Sequence, residues 1–151
     1  MAADNSKIVY GGDMMVFASS GSTKLPLAFT QSGKMTITNK SREVGSKDSG
    51  VWTEKLSGKF DWVASSDGLY SLNSTGSTTG VDTLYAYMLI GTPINIVFGV
   101  KTGTSPSWTV DSSKKSFQGT AIITSLDINA SDGDNATYSV NLEGSGALTL
   151  V

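Results

Sequence analysis

Along much of this chain apolar residues recur at every second position, and the segments that do so predict a protein made mainly of strands. In KMTITNK, Lys34 to Lys40, Met35 and Ile37 fall on one side and Lys34, Thr36, Thr38 and Lys40 on the other, the pattern of a half-buried strand. GKFDWVAS repeats it, with Phe60, Trp62 and Ala64 pointing one way and Asp61 and Ser65 the other. Val63 interrupts the alternation and predicts a drier second face for that strand. INIVFGV, Ile94 to Val100, is apolar at alternate positions and again at Val97, as expected of a central strand covered on both sides.

One segment changes period. TTGVDTLYAYMLIGTP has Thr79 in N-cap position with Asp82 three residues on, then Val81, Leu84, Tyr85 and Met88 at helical spacing, which predicts a short helix over about residues 80–91. Gly91 and Pro93 end it, and Asp82 suits the positive end of the helix dipole. The Leu, Tyr and Met stripe reads as core.

The last third predicts a long hairpin. KSFQGTAIITSLDIN runs out, ASDGDN turns, and ATYSVNLEG returns with Ala136, Tyr138, Val140 and Leu142 against Thr137, Ser139, Asn141 and Glu143. At ~3.3 Å per residue the outgoing strand would span roughly 50 Å, so it either bends at Gly119 or extends past the domain. A strand that long presents unpaired backbone groups that invite another chain. No domain boundary or fixed-period repeat interrupts residues 1–151; Leu72 to Gly80 is a Ser/Thr/Gly loop too short to link independent domains. The N-terminal KIVYGGDMMVFA is left without a place.

Composition narrows the function. A formal charge of -2, a pI near 4.9 and a single arginine, Arg42, leave no cationic excess for reading nucleic acid. The chain holds no histidine and no cysteine, which removes Ser-His-Asp and Cys-His catalysis and the usual zinc sets. The three glutamates, Glu43, Glu54 and Glu143, all read as exposed, a poor start for a glycosidase pair. Asp127, Asp132 and Asp134 fail the EF-hand spacing, because Asp132 stands where the loop needs glycine and Tyr138 where it needs a bidentate glutamate. The expectation is a non-enzyme without cofactor or metal. With no basic leader followed by an apolar run, and no stretch long enough to cross a bilayer, a chain made in a cytoplasm and free of membranes is expected.

TNKSREVGSKDSGVWTEKLSGKFDWVASSDGLYS, followed by the short helix and FQGTAIITSLDINASDGDNATYSVNLEGSGALT, resembles the major tail tube proteins of long-tailed, siphovirus-type bacteriophages. The resemblance runs from about Leu25 to Leu150, strongest in the tryptophan-bearing block and in YSVNLEGSGAL. It implies a β-sandwich or partly open barrel with one flanking helix, without an added immunoglobulin-like domain. Six copies would form a ring whose inner strands join into one barrel. Rings would stack around a tape-measure protein, between a distal tail or baseplate initiator and a tail terminator. The product is a virion tail, assembled in the bacterial host cytoplasm, through which DNA leaves without specific binding.

Under that resemblance the charged loop Ser41 to Leu56 touches adjacent subunits or the next ring. Arg42, Glu43, Lys47, Asp48 and Glu54 would set register by charge and Trp52 would serve as an apolar anchor. An acidic wall would let DNA slide, with Asp61 and Glu143 as the carboxylates expected to face the lumen. The tube of a contractile tail, type VI or related injection system shares the architecture. A carbohydrate-binding β-sandwich is the remaining alternative, with Trp52, Trp62, Trp108 and Tyr70 as its sugar platform.

Overall fold

The computed structural model describes residues 8–19, 24–27, 29–48, 50–71, 78–104 and 107–151. Most of the strands belong to one antiparallel sheet in the order β2 (Leu25–Pro26), β1 (Met14–Ser19), β7 (Ile94–Thr104), β9 (Phe117–Asn129), β10 (Thr137–Gly144), β6 (Phe60–Leu69), β3 (Thr30–Asn39). β8 (Ser107–Val110) folds back on β7, and β11 (Thr149–Leu150) pairs with the start of β9. The sheet curls until its far strand meets the near one: a Cβ on Gly33 of β3 would lie 3.3 Å from Val16 of β1 and 3.4 Å from Phe98 of β7. β1 and β3 do not hydrogen bond, so the curl remains an open half-barrel. Register shifts at Asn141/Leu142 and Thr30/Ser32 add local twist of the kind that bends a strand.

Inside the curl, Val16, Ala18, Leu27, Trp62, Ala64, Ile94, Ile96, Tyr138, Val140 and Leu142 form the core. The alternation expected in β6 and β10 is present: Trp62, Ala64 and Ser66 are buried with Tyr138, Val140 and Leu142. Val63 is exposed, so the drier second face expected for β6 does not form. β7 is buried from Ile94 to Val100 except at Asn95 and half-buried Phe98. Trp62 fixes the middle of the inner layer. Its indole lies over Gly119 and Gly144, where a side chain at either position would collide with it, and its Nε1–H donates to the Gly146 carbonyl at 3.3 Å. The glycines of FQGT and NLEGSG are thus the floor of a tryptophan slot.

Elsewhere the structure adds to these expectations and corrects the helix. The N-terminal segment without a place contains β1, an interior strand between β2 and β7; its MMVFA run does not alternate because both faces are covered. The helix, α1 (Val81–Ile90), ends as expected with Gly91 at φ 74, but its N-cap is Gly80 rather than Thr79. Thr79 is buried and donates its hydroxyl to the Ala18 carbonyl at 3.4 Å. α1 buries Val81 and Leu84 but leaves Tyr85 and Met88 exposed, because only one stripe of the helix touches the sheet. Finally, the outgoing strand of the C-terminal hairpin passes Gly119 and changes partners. Residues 117–121 pair with β7 and 121–129 with β10, so the second half runs beyond β7.

Candidate assembly surfaces

β3, β6, β10 and β9 form a four-stranded panel whose two faces differ in chemistry. Rows of register partners cross it in the order Ser32, Asp67, Ser139, Asp127; then Lys34, Ser65, Asn141, Ser125; then Thr36, Val63, Glu143, Ile122. Because side chains alternate, all of these point away from the core, and with Asp61, Thr38 and Lys40 they make a face of small polar groups and scattered charge. Side chains on it bond to one another: Ser32 donates to Asp67 at 3.1 Å and the Asn141 amide to the Ser125 hydroxyl at 2.7 Å. Lys40 lies 3.9 Å from Asp61, with both ends largely in solvent.

Both expected carboxylates, Asp61 and Glu143, lie on this one face. Asp67 and Asp127, which were not among the carboxylates expected there, lie on it too. Continuing the alternation of β6 from Asp61 through Val63 and Ser65 reaches Asp67; Asp127 follows only from the hairpin register. Four carboxylates therefore stand against Lys34, Lys40 and, opposite Lys40, Lys59.

The panel has two bare margins. β3 ends the sheet and, among the described residues, pairs only with β6. On β9, residues 122–129 pair with β10 on one side, and among the described residues no strand pairs with them on the other. Such rows of open N–H and C=O groups recruit further strands when nothing covers them.

The charged loop is a hairpin of its own. β4 (Arg42–Glu43) pairs with β5 (Lys55–Leu56), Arg42 opposite Leu56 and Glu43 opposite Lys55. The base is clamped by Asn39, whose amide donates to the Ser57 hydroxyl at 2.9 Å and whose carbonyl oxygen accepts from the Gly58 N–H at 3.2 Å. Gly58 passes so close to the Lys40 carbonyl that no side chain fits there. Beyond the clamp every described residue from Ser41 to Ser57 is exposed, including Trp52 at 84%. Among the described residues Arg42, Glu43, Lys47, Asp48 and Glu54 form no ion pair.

The remaining chemistry is sparse. Among the described residues no cluster of histidine, cysteine, aspartate and glutamate could hold a metal ion. A cleft of about 800 Å³ between β1, β2 and β3 is walled by Met14, Met15, Leu27, Phe29, Phe98 and Trp108, with Lys101 as its charged residue. The sugar-platform alternative loses its geometry: Trp62 and Tyr70 pack in or against the core, Trp108 lies under the Lys101 ammonium at 4.3 Å, and Trp52 stands on the hairpin.

Comparison with known proteins points one way. The family model described as phage tail tube protein matches residues 11–150. No curated protein matches the chain. Among solved structures, the tail of an empty gene transfer agent particle with C6 symmetry superposes with a TM-score of 0.76 at 17% identity, covering 95% of this chain and 99% of that one. A chain of the native gene transfer agent virion gives 0.74 at 18%, with the same coverage. The SPP1 tail tube gives 0.68 at 13%, over 95% of this chain and 78% of that one. At these identities the likeness is one of fold.

Proposed function

The chain belongs to the phage tail tube protein family, and from that premise we propose that six copies close into a ring, that rings stack into the tube of a virion tail, and that DNA leaves through it. The observation that carries this reading is the panel of β3, β6, β10 and β9, polar on one face, packed on the other and bare at both margins. Its four strands alternate in direction, so β9 of one copy runs antiparallel to β3 of the next when copies are related by rotation about the tube axis. Pairing those margins closes the sheet into a barrel and leaves no edge. The six-fold count follows the C6 symmetry of the gene transfer agent tail.

The polar face then becomes the lumen. Asp61, Asp67, Asp127 and Glu143 outnumber Lys34, Lys40 and Lys59 on it by one, so phosphates meet a wall without a cationic excess. The hairpin carrying Arg42, Glu43, Lys47, Asp48, Trp52 and Glu54 reaches neighbouring copies, and its unpaired charges select their register. A tape-measure protein inside, an initiator at the baseplate end and a terminator at the other complete the set of partners, and the role is structural rather than enzymatic. Purified protein is expected to form six-fold rings or tubes as concentration rises, seen by light scattering and electron microscopy. Compact monomers at every concentration and ionic strength, with or without an initiator, would overturn the proposal.

A further inference from the structure

α1 stands on the same strand that carries the free margin. It packs on β9, and Val81 and Leu84 enter the core against which Ile123 and Leu126 pack. Its other flank is apolar and uncovered: Tyr85, Met88 and Leu89, neighbours at helical spacing, are all exposed, Leu89 at 69%. A patch of large apolar side chains beside an open strand edge is the signature of an interface.

A matching set lies at the opposite margin, on the same face of the sheet. Ile37 of β3 and Phe60 of β6 share the core-facing side with Met35, Trp62 and Ala64, yet they lie beyond what β1, β7 and α1 cover, and they are 50% and 72% exposed. They are also at the right end. Met35, Ala64, Leu142 and Ile123 form one row of the panel, and Ile37 and Phe60 lie further toward the end where Ala121 pairs with Ile94. α1 terminates there, leading through residues 91–93 into Ile94.

We infer that the exposed flank of α1, formed by Tyr85, Met88 and Leu89, is a socket for Ile37 and Phe60 of the next copy around the ring. The inference rests on the ring reading: once β3 of that copy extends the sheet at β9, its core-facing side continues the side that bears the helix. Backbone pairing alone fixes neither register nor curvature, because a slip by two residues preserves the facing of every side chain. Two large side chains seated on a helix flank distinguish one register from the next. The contact thereby sets ring register from the side of the sheet that bears the helix, independently of the lumen face and of the hairpin.

The natural absence of cysteine allows a direct test. The double variant Leu89→Cys/Phe60→Cys and the control Leu89→Cys/Thr38→Cys, whose second site lies on the opposite face, are each assembled and imaged. Both are then oxidised or treated with a short bis-maleimide and run on a denaturing gel. All three positions are exposed, and circular dichroism melts verify that each variant folds. The expected result is a ladder reaching a covalent closed ring for the first pair, at least about tenfold above the control. Tubes in the micrographs with equal cross-linking in both pairs would overturn the socket and leave the tube reading intact. Absence of rings and tubes for unmodified protein under the same conditions would overturn both.

Discussion

Gly144→Ala isolates the tryptophan slot that braces the inner panel. Gly144 has no positive φ, so alanine meets no backbone strain, and the whole cost comes from the new methyl landing on the Trp62 indole. The ring has little room to retreat: a Cβ at Gly119 would lie 2.7 Å from its Cζ2, and its Nε1–H is committed to the Gly146 carbonyl. Overpacking of a rigid site costs about 1–3 kcal/mol. Breaking the indole hydrogen bond adds about 1 kcal/mol, for a total of about 2–4 kcal/mol. For a chain of this length that lowers the melting temperature by about 5–15 °C. Urea melts of the soluble protein, followed by tryptophan fluorescence and circular dichroism, measure it. The decisive control is the same substitution in a Trp62→Ala background, where the methyl enters vacated space and the cost falls below about 0.5 kcal/mol. A Gly144→Ala cost that is equally large in both backgrounds, or negligible in the native one, would refute the slot.

Charge reversals in the hairpin, Glu43→Lys or Asp48→Lys, are expected to change folding stability by no more than about 0.5 kcal/mol, since neither carboxylate forms an ion pair among the described residues; negative-stain micrographs are expected to show rings that fail to lengthen into tubes. The Tyr138 hydroxyl is pushed above the usual phenol value of 10.0, chiefly by burial. Its folded pKa exceeds its unfolded one, so the stability it contributes is complete below about pH 10 and is lost as pH rises through the folded value; Tyr138→Phe is expected to flatten that alkaline loss in melts recorded across the range. Reversing Asp67, Asp127 and Glu143 together to lysine is expected to leave ring formation in place but make tubes retain duplex DNA at about 50 mM salt and release most of it by about 200 mM, whereas native tubes retain none; a filter or sedimentation assay reads the difference.

The panel was legible because β6 and β10 are polar on one side and packed on the other over most of their length. Alternation alone put Asp61 and Glu143 on outward faces of β6 and β10, and the register of the folded sheet placed those faces together. Asp127 was hidden by the register shift beside Leu142, which changes the phase of β9 partway along. β1 was illegible for the opposite reason: between β2 and β7, with Val16 and Phe17 both buried, it has no polar face to betray a period. For α1 the sequence located the ends, Gly91 above all, but not the wet side. Periodicity identifies which residues are apolar, and Tyr85 and Met88 qualify; what covers them depends on a second surface the isolated chain does not contain. Ile37 and Phe60 were read as inward for the same reason, and they point to the core side of the sheet beyond what β1, β7 and α1 cover. Tyr85, Met88, Ile37 and Phe60, whose burial was misjudged, are assigned to contacts between copies; Val63, misjudged as well, stands on the polar face.

A reconstruction of the assembled protein by electron cryomicroscopy, at a resolution that traces strands, tests the central claim most directly. The expected result is one unbroken antiparallel barrel around a hollow axis, in which residues 122–129 of each copy hydrogen bond to β3 of the next and Asp61, Asp67, Asp127 and Glu143 face the channel. Rings held together by other surfaces, with the β3 and β9 margins open to solvent and the four carboxylates on the outside, would contradict it.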